Sequence, residues 1–239
     1  MKRTGRRALL SGLCVAGISC AAVAADVPGH ARLSALPSCA GATWTDTCIV
    51  DVANGDFAGP AGDPYNHGEF SWWSVHPGTH SIRAHLAPWH YATSSNAAWL
   101  DGPASGTSLM LRSPGDRVSQ RYALKDILPA GTRGDVRYTL HAHARGDIDI
   151  ADAAIGLFLT DGTSTVDRSI RYEAVSRGVG APRQEVLASL IVPATQARTG
   201  VLYIAAGAAK GGRAPVVVDD VFLVRSPADA MLAELNPDG

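Results

Sequence analysis

From residue 108 onward the chain alternates apolar and polar positions in short runs, the pattern of strands with one buried face. Residues 136–145 show it best. Tyr138, Leu140, Ala142 and Ala144 fall on one side, and Thr139, His141, His143 and Arg145 on the other. Comparable runs predict strands over 108–112, 118–124, 154–160, 185–192, 200–206 and 215–224, with Asp161-Gly162 as a hairpin-type turn. In the last run Val217, Asp219, Val221 and Leu223 are expected to share the inward face. Only residues 227–235 carry a 3.6-residue period, enough for one short helix. Many short strands punctuated by Gly and Pro predict a sandwich or barrel.

The first half reads differently. Residues 48–52 form a β-branched run that ends at Asn54-Gly55, a turn signal. Residues 58–106 are rich in Gly, Pro, Ser and His, hold four of the five tryptophans and lack a clear period. Long loops carrying a few short strands are expected there.

The N-terminus reads as an export signal, residues 1–25. Lys2, Arg3, Arg6 and Arg7 precede an apolar, small-residue stretch, and Ala22-Val23-Ala24 fits a small-x-small cleavage site. The Arg6-Arg7 pair resembles a twin-arginine signal. The stretch is too short and too dilute in large apolar residues for a membrane span. A periplasmic or secreted location follows, with no membrane partner once the signal is cleaved. The formal net charge is −1, and losing those four cations leaves a mildly acidic mature chain, which excludes an electrostatic footprint for nucleic acid. Residues 26–47 read as a leader with a cystine loop, 48–226 as one β-domain, and 227–239 as a tail. Cys39 and Cys48 are the cysteines left after cleavage, and in an oxidising compartment a disulfide between them is expected.

Three ordered stretches resemble carbohydrate-binding modules of the galactose-binding-domain-like jelly-roll type. They are Asn54-Gly55-Asp56-Phe57; Gly106-Thr107-Ser108-Leu109-Met110-Leu111 with Val118-Ser119-Gln120, Leu128-Pro129-Ala130-Gly131 and Tyr138-Thr139-Leu140; and the closing run Val216 to Leu223. The resemblance spans about residues 51–225. It implies an all-β, antiparallel two-sheet jelly roll that binds sugar on a concave face or a loop rim. It also implies a structural calcium site at Asp219 and Asp56, although Ala58 stands where the family often has a Glu ligand. Hydrogen bonding of Asp219 to the Asn54 turn is the alternative to calcium.

Carbohydrate is the expected partner, because aromatic rings pack on the C–H faces of sugars while nearby polar groups bond the hydroxyls. Tyr65, Trp72, Trp73, Trp89, Tyr91 and Trp99 are interleaved with His67, His76, His80, His85, His90 and Asp101. Trp89, Trp99, Tyr91 and His90 are the candidate contacts, and the competing reading is that large aromatics pin the loops to the sandwich. For His141, His143 and Arg145 a solvated outer face ranks first, a sugar groove second and a transition-metal site third. No nucleophile elbow, zinc-protease helix or phosphate loop is present, and Asp219 and Asp220 are expected on opposite faces, unable to pair as acid and nucleophile. The expectation is therefore a non-catalytic module. A structural or protein-interaction jelly roll and a histidine-based metallohydrolase are the other readings.

Overall fold

A computed structural model describes residues 35–57, 90–92, 98–101, 108–147, 149–176 and 184–230. The expected export signal, Trp72, Trp73, Trp89, four of the loop histidines and most of the expected C-terminal helix lie outside them. In chain order the described strands are β1 (Cys48–Val50), β2 (His90–Ala92), β3 (Ala98–Asp101), β4 (Ser108–Leu111), β5 (Arg117–Ala123), β6 (Val136–Gly146), β7 (Ala151–Thr160), β8 (Thr165–Val175), β9 (Gln184–Val192), β10 (Val201–Ala208) and β11 (Val216–Pro227). One helical turn, α1 (Leu124–Ile127), follows β5.

Each strand pair is antiparallel, and the strands form two sheets. The first runs β3-β4-β11-β6-β9 with β1 also paired to β11, and the second runs β2-β5-β10-β7-β8. The alternation predicted a sandwich or barrel, and the two antiparallel sheets make it the jelly-roll sandwich that the resemblance implied. Its core is the set of side chains on the facing sides: Leu109, Leu111, Tyr138, Leu140, Val218 and Leu223 from the first sheet meet Val118, Ile155, Leu157, Leu159, Leu202 and Ile204 from the second, all buried. Such interdigitated inner faces are what hold two sheets together. Among the described residues no helix is long and apolar enough to cross a membrane.

Two elements differ from expectation. Strand β8 is absent from the sequence reading because it is an edge strand, exposed over most of its length, so charged residues occupy both of its sides and hide the alternation. The closing strand β11 carries a bulge. Its register with β6 runs Val217↔Arg145, Val218↔Ala144 and Asp219↔His143, then resumes at Phe222↔His141, so one extra residue sits in β11. Asp220 takes the left-handed conformation (φ 46°), which Asp tolerates better than most residues, and its N–H donates to Asp219 Oδ1 at 2.8 Å. The bulge switches the inward parity. Val216 and Val218 face the core before it, and Val221 and Leu223 after it. The expected inward set Val217, Asp219, Val221 and Leu223 is therefore corrected: Val217 and Asp219 lie on the outer face.

The disulfide joins Cys39 to Cys48. It ties the leader to β1, beside which Cys39 N–H donates to Ile49 O and Ile49 N–H to Pro37 O. Closing so short a loop stabilises the fold by about 2–3 kcal/mol in the chain-entropy treatment. Replacing both cysteines by serine should lower the unfolding free energy by that amount in urea titrations, and reductant should do the same to the native protein. An unchanged midpoint in either experiment would contradict this.

Candidate functional site

Residues directly opposed in antiparallel strands share a face, so the register lists what the outer side of the first sheet presents. One row is Trp99, Met110, Val217 and Arg145, read from β3 through β4 and β11 to β6. The next is Asp219, His143 and Glu185, and the third is Phe222, His141 and Leu187. Three of the sequence-predicted residues, Arg145, His143 and His141, thus belong to adjacent rows of one face, Trp99 stands in register with Met110 at the edge of the sheet, and Asp219 joins the three because of the bulge.

The histidines are not solvated. His141 is 5% and His143 4% exposed, which corrects the first-ranked expectation for them. A buried imidazole needs hydrogen-bond partners. His141 Nδ1 is 2.8 Å from Glu185 Oε1, reached diagonally across to β9. His143 Nδ1 is 3.2 Å from Asp220 Oδ2. Only the inserted bulge residue can supply that second carboxylate, since a regular strand would send Asp220 inward. The expectation that Asp219 and Asp220 serve opposite faces is corrected for the same reason: Asp219 is the register partner of His143, and Asp220 contacts its ring. Thr139 Oγ1 and Ser189 Oγ, one row further, are 2.9 Å apart.

The result is graded exposure. The imidazoles are buried, whereas the Glu185 and Asp220 side chains are 28% and 26% exposed and Arg145 is half-buried. Leu187 and Ile191 add exposed apolar surface at the β9 edge. Each histidine orients a carboxylate, and the carboxylates and the guanidinium are the groups a solute can reach. His141 Nε2 is buried with no hydrogen-bond partner among the described residues.

What fixes the bulge is the Asn54-Gly55 turn. Val221 N–H donates to Gly55 O at 2.8 Å, and a Cβ on Gly55 would sit 2.4 Å from Val221 O. Asn54 takes φ 53°. Asp56 is exposed in this turn and Asp219 is buried beside the bulge. The turn thus contacts the strand of Asp219 through Gly55 and Val221 backbone atoms. Among the described residues no group of three or more His, Cys, Asp or Glu side chains is arranged to hold a metal ion.

The remaining predicted contacts separate. His90 and Tyr91 stand on β2, the edge of the second sheet, where His90 pairs with Ser119 and Tyr91 with Val118, a core residue. Trp99, eight positions beyond Tyr91, stands on the edge strand of the first sheet. Sequence reasoning missed Glu185 and Asp220. The signal for Glu185 was available: it lies two positions before Leu187 on an alternating run, on the side away from Val186 and Ala188.

No family model and no curated protein matches the chain. Among solved structures it is similar to TmCBM61 in complex with β-1,4-galactotriose, at 14% identity and a TM-score of 0.34, over 66% of this chain and 97% of that one. It is similar to the carbohydrate-binding module CBM36 in complex with calcium and xylotriose, at 13% identity and a TM-score of 0.34, over 58% of this chain and 94% of that one. It is also similar to the Stig cyclase Fisc from Fischerella sp. TAU in complex with an indole compound, at 11% identity and a TM-score of 0.42, over 77% of this chain and all of that one. None of these scores reaches 0.5, and the fold assignment rests on the strand order itself.

Proposed function

We propose that this chain is an exported, non-catalytic β-sandwich module that binds carbohydrate on the outer face of its first sheet. The observation that carries the reading is the convergence on that face of Arg145, Glu185 and Asp220, the last two held by buried histidines, in rows adjoining the Trp99 position. Sugar hydroxyls are both donors and acceptors. Carboxylates accept from them, a guanidinium donates to them, and an apolar or aromatic border packs on the ring. His141 and His143 act through the carboxylates they orient. A calcium ion is no part of the proposed contact. The Cys39–Cys48 disulfide supports an oxidising destination, periplasmic or secreted, as does the signal-like stretch over residues 1–25.

Titration calorimetry and glycan-array screening of the mature protein test the proposal. Binding to a neutral oligosaccharide is expected. Glu185→Gln and Asp220→Asn should each weaken it about tenfold, the loss of one charged hydrogen bond of about 1.5–3 kcal/mol at its lower end. No reducing sugar should be released on long incubation with the polymer. Silence against a broad set of polysaccharides, or variants that bind like the parent, would overturn the proposal.

The burial of His141, His143 and Asp219 favours one second reading, a sandwich that uses this polar layer only to fix β6, β9 and β11 in register. In that case Glu185→Gln costs stability and changes no ligand affinity.

A further inference from the structure

The outer face of the second sheet carries a different surface. Its register places Arg121, Tyr203, Phe158 and Arg168 in one row across β5, β10, β7 and β8. The next row has a floor of small residues, Ala205 and Gly156. The row beyond it holds Arg117 opposite Gly207, with Tyr172 at the far edge. The two aromatic side chains of the first row are half-buried, Tyr172 is 61% exposed, and the three arginines are exposed. Phe158 leans over Gly156: a Cβ there would lie 3.2 Å from its ring, so glycine keeps room for the ring to lie along the sheet.

Charge sets the ligand. Among the described residues no carboxylate pairs with the side chains of Arg117, Arg121 or Arg168, and these rows contain no Asp or Glu. Uncompensated cations on one face, on a chain whose formal net charge is −1, are complementary to an anion. Guanidinium forks match carboxylate geometry, and the Tyr203–Phe158 pair offers a flat apolar platform between Arg121 and Arg168. Those two arginines stand three strand spacings apart, about 14 Å, the reach of a short oligosaccharide rather than of a single sugar.

We infer that this face is a second binding surface, for an acidic polysaccharide whose rings pack on Tyr203 and Phe158 while its carboxylates pair with Arg121, Arg168 and Arg117. The inference shares with the proposed function only the premise that the domain binds glycan, and it uses the opposite sheet.

Affinity electrophoresis of the mature protein through gels containing polygalacturonate, alginate or neutral galactan tests it, with circular dichroism confirming that each variant is folded. Retardation by at least one acidic polymer is expected. It should weaken about tenfold in Arg121→Ala with Arg168→Ala and in Tyr203→Ala, fall on raising the salt, and persist in part in Arg121→Lys. Binding of neutral galactan, unaffected by these variants and lost in Asp220→Asn, with no retardation by either acidic polymer, would overturn this inference and leave the histidine face standing. Acidic-polymer binding that is insensitive to the arginine pair, or matched by single-stranded polynucleotide, would overturn it as well. Binding of no glycan at all would overturn both.

Discussion

Replacing Arg225 by alanine is expected to cost about 3–5 kcal/mol of stability, one buried cavity plus two lost guanidinium hydrogen bonds. The side chain is 1% exposed and lies opposite Tyr138 and Cys48, where β11 meets β6 and β1. Its Nη1 donates to Ile127 O at 3.1 Å and its Nη2 to Thr43 O at 2.7 Å, so one guanidinium joins the end of α1 to the cystine loop. Desolvation lowers the pKa of Arg225, opposed by the neighbouring Tyr138 and Asp46. Burial likewise raises that of the Tyr138 phenol, against the pull of the cation. Alanine would take the guanidinium from Thr43 O, leave Ile127 O with only the Tyr138 hydroxyl at 3.4 Å, and leave an empty volume behind them. Lysine keeps the charge and lacks the fork, so it should recover only part of the loss. Denaturant titration of disulfide-intact protein measures the effect. A loss below about 1 kcal/mol, the size of an ordinary surface change, would show that the guanidinium does not join these segments.

Gly55→Ala is the second large effect, expected at about 2–4 kcal/mol from overpacking and a lost backbone hydrogen bond. Its new Cβ would stand 2.4 Å from Val221 O, and a backbone oxygen cannot swing aside as a side chain can. The turn must lift from β11, breaking the Val221 N–H to Gly55 O bond. Because that bond holds the bulge, Asp220 should leave His143, and sugar affinity should fall together with stability. Gly131→Ala is the control. Its φ of 87° strains any side chain, but nothing lies within 4 Å of the new Cβ, so stability should drop modestly and affinity stay constant. Equal affinities for Gly55→Ala and the parent would detach the bulge from the site.

These two positions mark where the sequence stops being informative. Strands such as β6 and β10 are legible because a half-buried strand must alternate. The bulge in β11 is not, because Val216 to Val224 is apolar enough on both sides to suit either parity; the choice falls to the Gly55 turn, more than 160 residues earlier. Burial of His141 and His143 is hidden for a similar reason. Alternation correctly put them away from the core, but whether an outer face meets water depends on what other segments lay against it. The placement of Tyr91 and Trp99 on edge strands of different sheets was equally invisible, since the seven residues between them carry no pattern that marks a change of sheet. The disulfide was legible from two neighbouring cysteines and the expectation of an oxidising compartment.

The most direct measurement is amide chemical-shift mapping of the mature protein with the neutral oligosaccharide that screening returns. Shifts concentrated in β6 around residues 141–145, in β9 at 185–187 and in β11 at 217–222 are the predicted result. Shifts confined to the second sheet or to the α1 end of the sandwich, with His141 and His143 unmoved, would contradict a sugar site built on the histidine-held carboxylates.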